Sequence, residues 1–137
     1  MMTANPKVLT LPRYDLDGAT NGGANGEARS ASWLPTIIDR LVAQFAPLQI
    51  ILFGSYARGT AHRGSDLDVL VVLPDEPGGV RHREVTVAML RALSDLPVAK
   101  DVVVTTPEEI ARRGHLVGTV LREALREGKL LYERPSS

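Results

Sequence analysis

The chain of 137 residues has no cysteine, so disulfides and thiolate metal sites are excluded. It has no apolar run approaching the ~20 residues of a membrane span. Its start lacks the apolar core of a signal peptide. There is no excess of either charge: 16 basic and 16 acidic residues give a formal net charge of zero. Proteins that hold nucleic acid by its phosphates usually carry a basic excess, so this balance disfavours a nucleic-acid partner. No internal repeat is visible. These absences lead to the expectation of a soluble cytoplasmic protein without membrane contact. What is present is enough apolar sequence, 44% of residues, for one core in one domain.

Residues 1–31 are rich in Gly, Ala, Asn, Thr and Ser, as in "DGATNGGANGEARSA". Such composition buries too little apolar surface to offset its ordering entropy. It predicts a flexible tail, with "KVLTLPRYDL" as the one piece able to dock. Residues 32–137 then form the folded domain. Ser32 suits an N-cap and Pro35 a first helical turn. Trp33, Leu34, Ile37, Ile38, Leu41, Val42 and Phe45 repeat at helical spacing until Pro47. "LQIILF" and "DLDVLVVL" read as two strands. Val85, Ala88, Met89, Ala92, Leu93 and Leu96 mark a helix over about 80–96. "VAKDVVVTT" reads as a third strand. Thr106, Pro107 and Glu109 make a helix start with a capping box. Leu116, Val117, Val120, Leu121, Ala124 and Leu125 form a last amphipathic stripe, with Gly128 as C-cap.

Between the first two strands lies "GSYARGTAHRGSDLD". Residues two apart on a strand share a face, so Asp66 and Asp68 project together while Leu67 points the other way. Their Cα atoms would be about 6.5 Å apart. Carboxylates that close repel, and one keeps its proton unless a cation sits between them. Magnesium bound through carboxylate oxygens is the usual remedy, and two such ions can activate an attacking oxygen and stabilise a leaving one. A third carboxylate is expected nearby. Asp101, at the start of the third strand, joins the site if register allows. Gly54 and Ser55 follow a strand and open a short helical turn, where exposed N–H groups attract phosphate. Arg58 reads either as a phosphate contact or as a structural ion-pair donor. No Gly-Lys-Ser/Thr is present, so this is not a P-loop.

Gly54-Ser55, ten residues, Asp66-Leu67-Asp68 and a later Asp101 resemble the signature of the nucleotidyltransferase superfamily that includes DNA polymerase β. The resemblance covers about residues 33–132. The ending "LREALREGKLLYE" is similar to small stand-alone members, the minimal nucleotidyltransferases that serve as antitoxins paired with a HEPN-domain toxin. The resemblance implies an α/β (α+β) domain with a small mixed three-stranded sheet flanked by helices. It implies two Mg²⁺ ions on Asp66, Asp68 and Asp101, with these aspartates catalytic. It places the triphosphate of an NTP, ATP in the antitoxin type, at Gly54 and Ser55, with Arg58 beside them as the further nucleotide-binding candidate. It implies transfer of a nucleoside monophosphate, AMP from ATP, to a tyrosine hydroxyl of the toxin partner. Transfer to a small molecule or RNA, and a non-catalytic binding antitoxin, are the alternatives. The residues left after the catalytic core are too few for an acceptor-binding domain, which favours a separate protein acceptor.

Other residues have plainer readings. His62 fits a solvated loop, and His82 and His115 fit surface or capping positions. Tyr56 suits packing or base contact equally. Trp33 and Tyr132 fit core or partner-facing positions, and Leu131 is a further candidate for partner contact. "RHRE", residues 81–84, reads as a solvated helix start.

Overall fold

The computed structural model describes residues 9–17, 30–114, 116 and 119–135. The chain runs through helix α1 (Leu34–Phe45), strand β1 (Gln49–Phe53), helix α2 (Ser55–Arg58), β2 (Leu67–Val72), α3 (His82–Ala92), β3 (Lys100–Thr105), α4 (Pro107–Arg113), α5 (Val120–Glu127) and β4 (Lys129–Glu133). The sheet order is β3-β2-β1-β4. β1 is antiparallel to both β2 and β4, and β2 is parallel to β3. A parallel pair needs a long crossover, and α3 with its flanking loops provides it.

Both faces of this sheet are covered, so β1 reads as an unbroken apolar run and all five of its residues are buried. On one face Ile50, Leu52, Val69, Val71, Val102 and Val104 pack with Leu34, Ile37 and Leu41 of α1 and Met89 of α3. On the other, Ile51, Phe53, Leu70 and Val72 pack with Ala124 of α5, supported by Ile110, Leu121 and Leu125. Arg40 joins α1 to the end of α3 through the Ala92 carbonyl and the Asp95 carboxylate.

The mixed α/β class holds, with one strand more than the three expected. β4, "KLLYE", pairs with β1 across a bulge between Ile50 and Ile51. Its two leucines face opposite cores, Leu130 one and Leu131 the other, so no alternation marked it in the sequence. The cap of α1 also differs: Trp33 occupies it without a side-chain hydrogen bond, and Pro35 lies in the first turn. Thr106 caps α4 as expected, accepting from the Glu109 N–H. The Glu109 carboxylate does not close the box; it accepts from Thr105 Oγ1 and bonds His82 Nε2. His115, Val117 and residues 1–8 and 18–29 lie outside the described residues.

Within the stretch read as a tail, the described part of "KVLTLPRYDL", the piece named as able to dock, packs on the domain. Leu9 and Leu11 pack on one core and Tyr14 and Leu16 on the other, so this segment crosses the outer edge of β4. Arg13 forms a parallel bridge with Leu130. The Tyr14 N–H donates to the Leu130 carbonyl (3.0 Å), and the Leu130 N–H donates to the Pro12 carbonyl (2.7 Å). An open strand edge offers unpaired backbone groups, and this segment satisfies them. Buried Gln49 adds a bond from Nε2 to the Leu9 carbonyl (2.9 Å), while its Oε1 has no partner among the described residues.

Candidate active site

The three aspartates meet at one end of the sheet. Asp66 lies just before β2 and Asp68 is its second residue, with fully buried Leu67 between them. The alternation expected of a strand therefore starts here: Leu67 enters the core while Asp68 is half-buried and Asp66 exposed. In the parallel pair Asp68 lies opposite Asp101, on strands about 4.8 Å apart. Asp68 also lies opposite Phe53, the last residue of β1, which leads into Gly54. The ends of three strands thus bring together residues 66, 68, 101 and the Gly54-Ser55 turn.

Electrostatics reflect this crowding. Asp68 is pushed up to about 6, first by burial and then by repulsion from Asp101, Asp66 and Glu123, against an opposing pull from Arg58. A negative charge at Asp68 is therefore poorly compensated by the protein, and a hard divalent cation would supply the missing countercharge. Among the described residues no three Asp, Glu or His side chains are grouped so as to hold a metal ion as they stand. The donor set nonetheless fits Mg²⁺ in chemistry, since all its members are carboxylate oxygens on neighbouring backbone positions.

Gly54 has φ +76° and ψ −157°, a conformation open essentially to glycine alone. A Cβ on Gly54 would lie 2.2 Å from Asp68 Oδ2. The backbone of the turn and the central carboxylate are thus in direct apposition, and no other residue type fits between them. Ser55 begins α2, whose Ala57 and Arg58 N–H groups donate to the Gly54 carbonyl. The first N–H groups of such a turn have no intrahelical acceptor and face outward for an anion.

Arg58 was open between two roles on sequence. Its Nη1 lies 3.2 Å from Glu127 Oε1 and 3.4 Å from Glu123 Oε2. A cleft of about 400 Å³ lies between this arginine and α5, lined by Thr119, Val120, Arg122 and Arg126 besides the two glutamates. Glu123 and Glu127 are the residues that sequence reasoning missed. Their spacing of four, one helical turn, put both on one face of α5, but nothing local marked Arg58, some 65 residues earlier, as their partner.

The remaining candidates are structural. Tyr56 is buried in the core. Leu131 is buried in the same cluster, and Trp33 and Tyr132 pack against it partly buried. His62 is exposed in a turn closed by the bond from Ser65 N–H to the His62 carbonyl. His82 joins α3 to Glu109 of α4 on a cleft at the opposite ends of β2 and β3.

Sheet order, the aspartates at the strand ends and the glycine-serine turn define the class: a transferase domain of the polymerase β-like kind. The family model for the nucleotidyltransferase domain matches residues 34–131, and the chain belongs to that family. No curated protein matches the chain significantly. A Sulfolobus solfataricus protein classed as a nucleotidyltransferase has a similar crystal structure, at 22% identity and TM-score 0.52, over 83% of this chain and 92% of that one. A toxin–antitoxin crystal structure with AMP-PNP matches at 29% identity and TM-score 0.44, over 72% of this chain and 73% of that one. A mutant of the toxin–antitoxin pair MntA–HpeT matches at 25% identity and TM-score 0.45, over 74% and 73%. No helix among the described residues is long and apolar enough to cross a membrane.

Proposed function

We propose that this nucleotidyltransferase moves AMP from ATP, with Mg²⁺, to a tyrosine hydroxyl of a separate protein, a HEPN-type toxin for which it is the cytoplasmic antitoxin. The observation that carries the catalytic part is the register of Asp68 against Asp101, with Gly54 packed on Asp68. The partner part is supported by the resemblance of "LREALREGKLLYE" to stand-alone members of the superfamily and by the absence of a basic excess that would favour RNA.

Asp66 and Asp68 would hold both ions and Asp101 one of them. When bound, Mg²⁺ neutralises the triphosphate and lowers the barrier to losing the acceptor's proton. The Gly54-Ser55 turn receives the triphosphate through outward N–H groups and the Ser55 hydroxyl. The acceptor oxygen attacks the α-phosphorus in line. A phosphorus–oxygen bond to the acceptor forms as the bond to the β-phosphate bridge breaks, and pyrophosphate leaves. Asp101, exposed at the start of β3, takes the hydroxyl proton. The partner's surface supplies the orientation that makes the attack effectively unimolecular.

The test is incubation with ATP, Mg²⁺ and the product of the adjacent gene, read by intact mass. Added mass in AMP units, lost with Asp66→Asn, is the expected result. Binding and neutralisation of that partner without a mass change, unaffected by Asp66→Asn, overturns it and leaves a purely binding antitoxin. Mass added to RNA or a small molecule instead moves the acceptor to the alternative class.

A further inference from the structure

The Gly54-Ser55 turn stands on α2, a helix of only four residues. One turn of helix has almost no stability of its own, so its orientation depends on what it is fastened to. Tyr56 and Ala57 fasten one side to the core. Arg58, its last residue, fastens the other side to α5 through Glu123 and Glu127. α5 is itself fixed: Ala124 is fully buried, and Gly128 lies so close to β1 that a Cβ would meet Ile51 Cγ2 at 2.6 Å. Exposed ion pairs contribute little to stability, and Arg58 is 42% exposed. A doubled pair on one guanidinium at this place therefore bears on orientation more than on folding.

We propose that Glu123 and Glu127 are positioning residues for the nucleotide: through Arg58 they hold α2, and so set the direction in which the Gly54-Ser55 turn presents its N–H groups. This rests on the reading of that turn as the triphosphate site. The proposal assigns Arg58 to the strut and not to the phosphates, and the two roles give opposite signs in one experiment. Removing two negative charges near the site would, on electrostatic grounds alone, strengthen binding of a triphosphate. Weaker binding is a result that only lost positioning produces.

The experiment is calorimetric titration of ATP with Mg²⁺ into the wild-type chain and four variants, each checked by thermal melting. The variants are the double Glu123→Gln/Glu127→Gln, Arg58→Gln, the triple combining all three, and Glu127→Asp. The double variant should raise Kd about tenfold at unchanged melting temperature, in line with the cost of small misplacements. Arg58→Gln should do the same, and the triple variant should add nothing further. Glu127→Asp, which keeps the charge, should stay within about threefold of wild type, even if the glutamine variants prove less stable. Tighter binding in the double variant overturns the proposal and makes Arg58 a phosphate ligand held back by the glutamates. Unchanged binding overturns it by removing any role for the strut. A wild-type chain that binds no nucleoside triphosphate with Mg²⁺ overturns the triphosphate reading itself, and the strut with it.

Discussion

Asp68 is the residue on which the site turns, and its charge state makes two measurable demands. Burial and three neighbouring carboxylates raise it to about 6, against about 3.9 in an unfolded chain. Between those values the folded state holds the extra proton. The stability tied to Asp68 is therefore complete below about 3.9 and is lost as pH rises through about 6. Solvent reaches this half-buried group, so the amount is ~1 kcal/mol. Asp68→Asn should raise the metal-free stability at neutral pH by ~1 kcal/mol and flatten its slope between about pH 4 and 6, while abolishing transfer. Melting curves across that range check the first part; a variant no more stable than wild type at pH 7 would mean the crowding costs nothing. Gly54 makes the complementary case. Gly54→Ala places a methyl group 2.2 Å from Asp68 Oδ2 in a backbone conformation of φ +76°. It should destabilise the domain by about 1–3 kcal/mol and remove ATP binding, measured by melting and calorimetry. Ser55→Ala removes one hydrogen bond and should weaken ATP binding only by about 1.5–3 kcal/mol.

At the scale of elements, what the sequence shows is local and what it hides is pairing. Helices α1, α3 and α4 and strands β1 to β3 are legible because period, β-branched runs and prolines mark them within a few residues. Thr106 is such a mark, and Thr106→Ala should cost about 1 kcal/mol in denaturant titration, since Glu109 N–H loses its cap. The spacing of Asp66 and Asp68 is equally local. Asp101 was readable as an acid at a strand start, but its place opposite Asp68 depends on the β2–β3 register, which no short stretch encodes. The same holds for Arg58 with α5, and for β4, whose apolar residues serve two different cores. Gly128 shows a local mark with a different cause. It ends α5 as expected, but with φ −70°, not in the left-handed region. What requires glycine is proximity, because a Cβ would meet the Ala124 carbonyl at 2.3 Å and Ile51 at 2.6 Å. Gly128→Ala should therefore lift α5 from β1 at a cost of about 1–3 kcal/mol by overpacking. A melting temperature within error of wild type would show that α5 shifts freely.

For the whole molecule the segment 9–17 matters most, and most of it belongs to "KVLTLPRYDL", the one piece of the tail that the sequence offered for docking. Its four apolar residues, Leu9, Leu11, Tyr14 and Leu16, divide between the two cores. The segment lies along the β4 edge of the sheet and completes the backbone bonding of Leu130. Leu9 and Leu11 also pack on the cluster that seats Ala124 of α5. Deleting residues 1–17 removes two backbone hydrogen bonds, the Gln49 bond to Leu9 and the apolar cover on both faces. The expected loss is ~2–3 kcal/mol, which for a domain of this size lowers the melting temperature by roughly 10 °C. The bared β4 edge should also pair between chains, so sedimentation should show more concentration-dependent association than for the full chain. Leu130 and Gln49 give the control: Gln49→Leu in the full chain loses the side-chain bond but keeps the edge covered, so it should shift the melt without inducing association. A truncated chain that melts with the full one and sediments as it does would return residues 9–17 to the role of a passive tail.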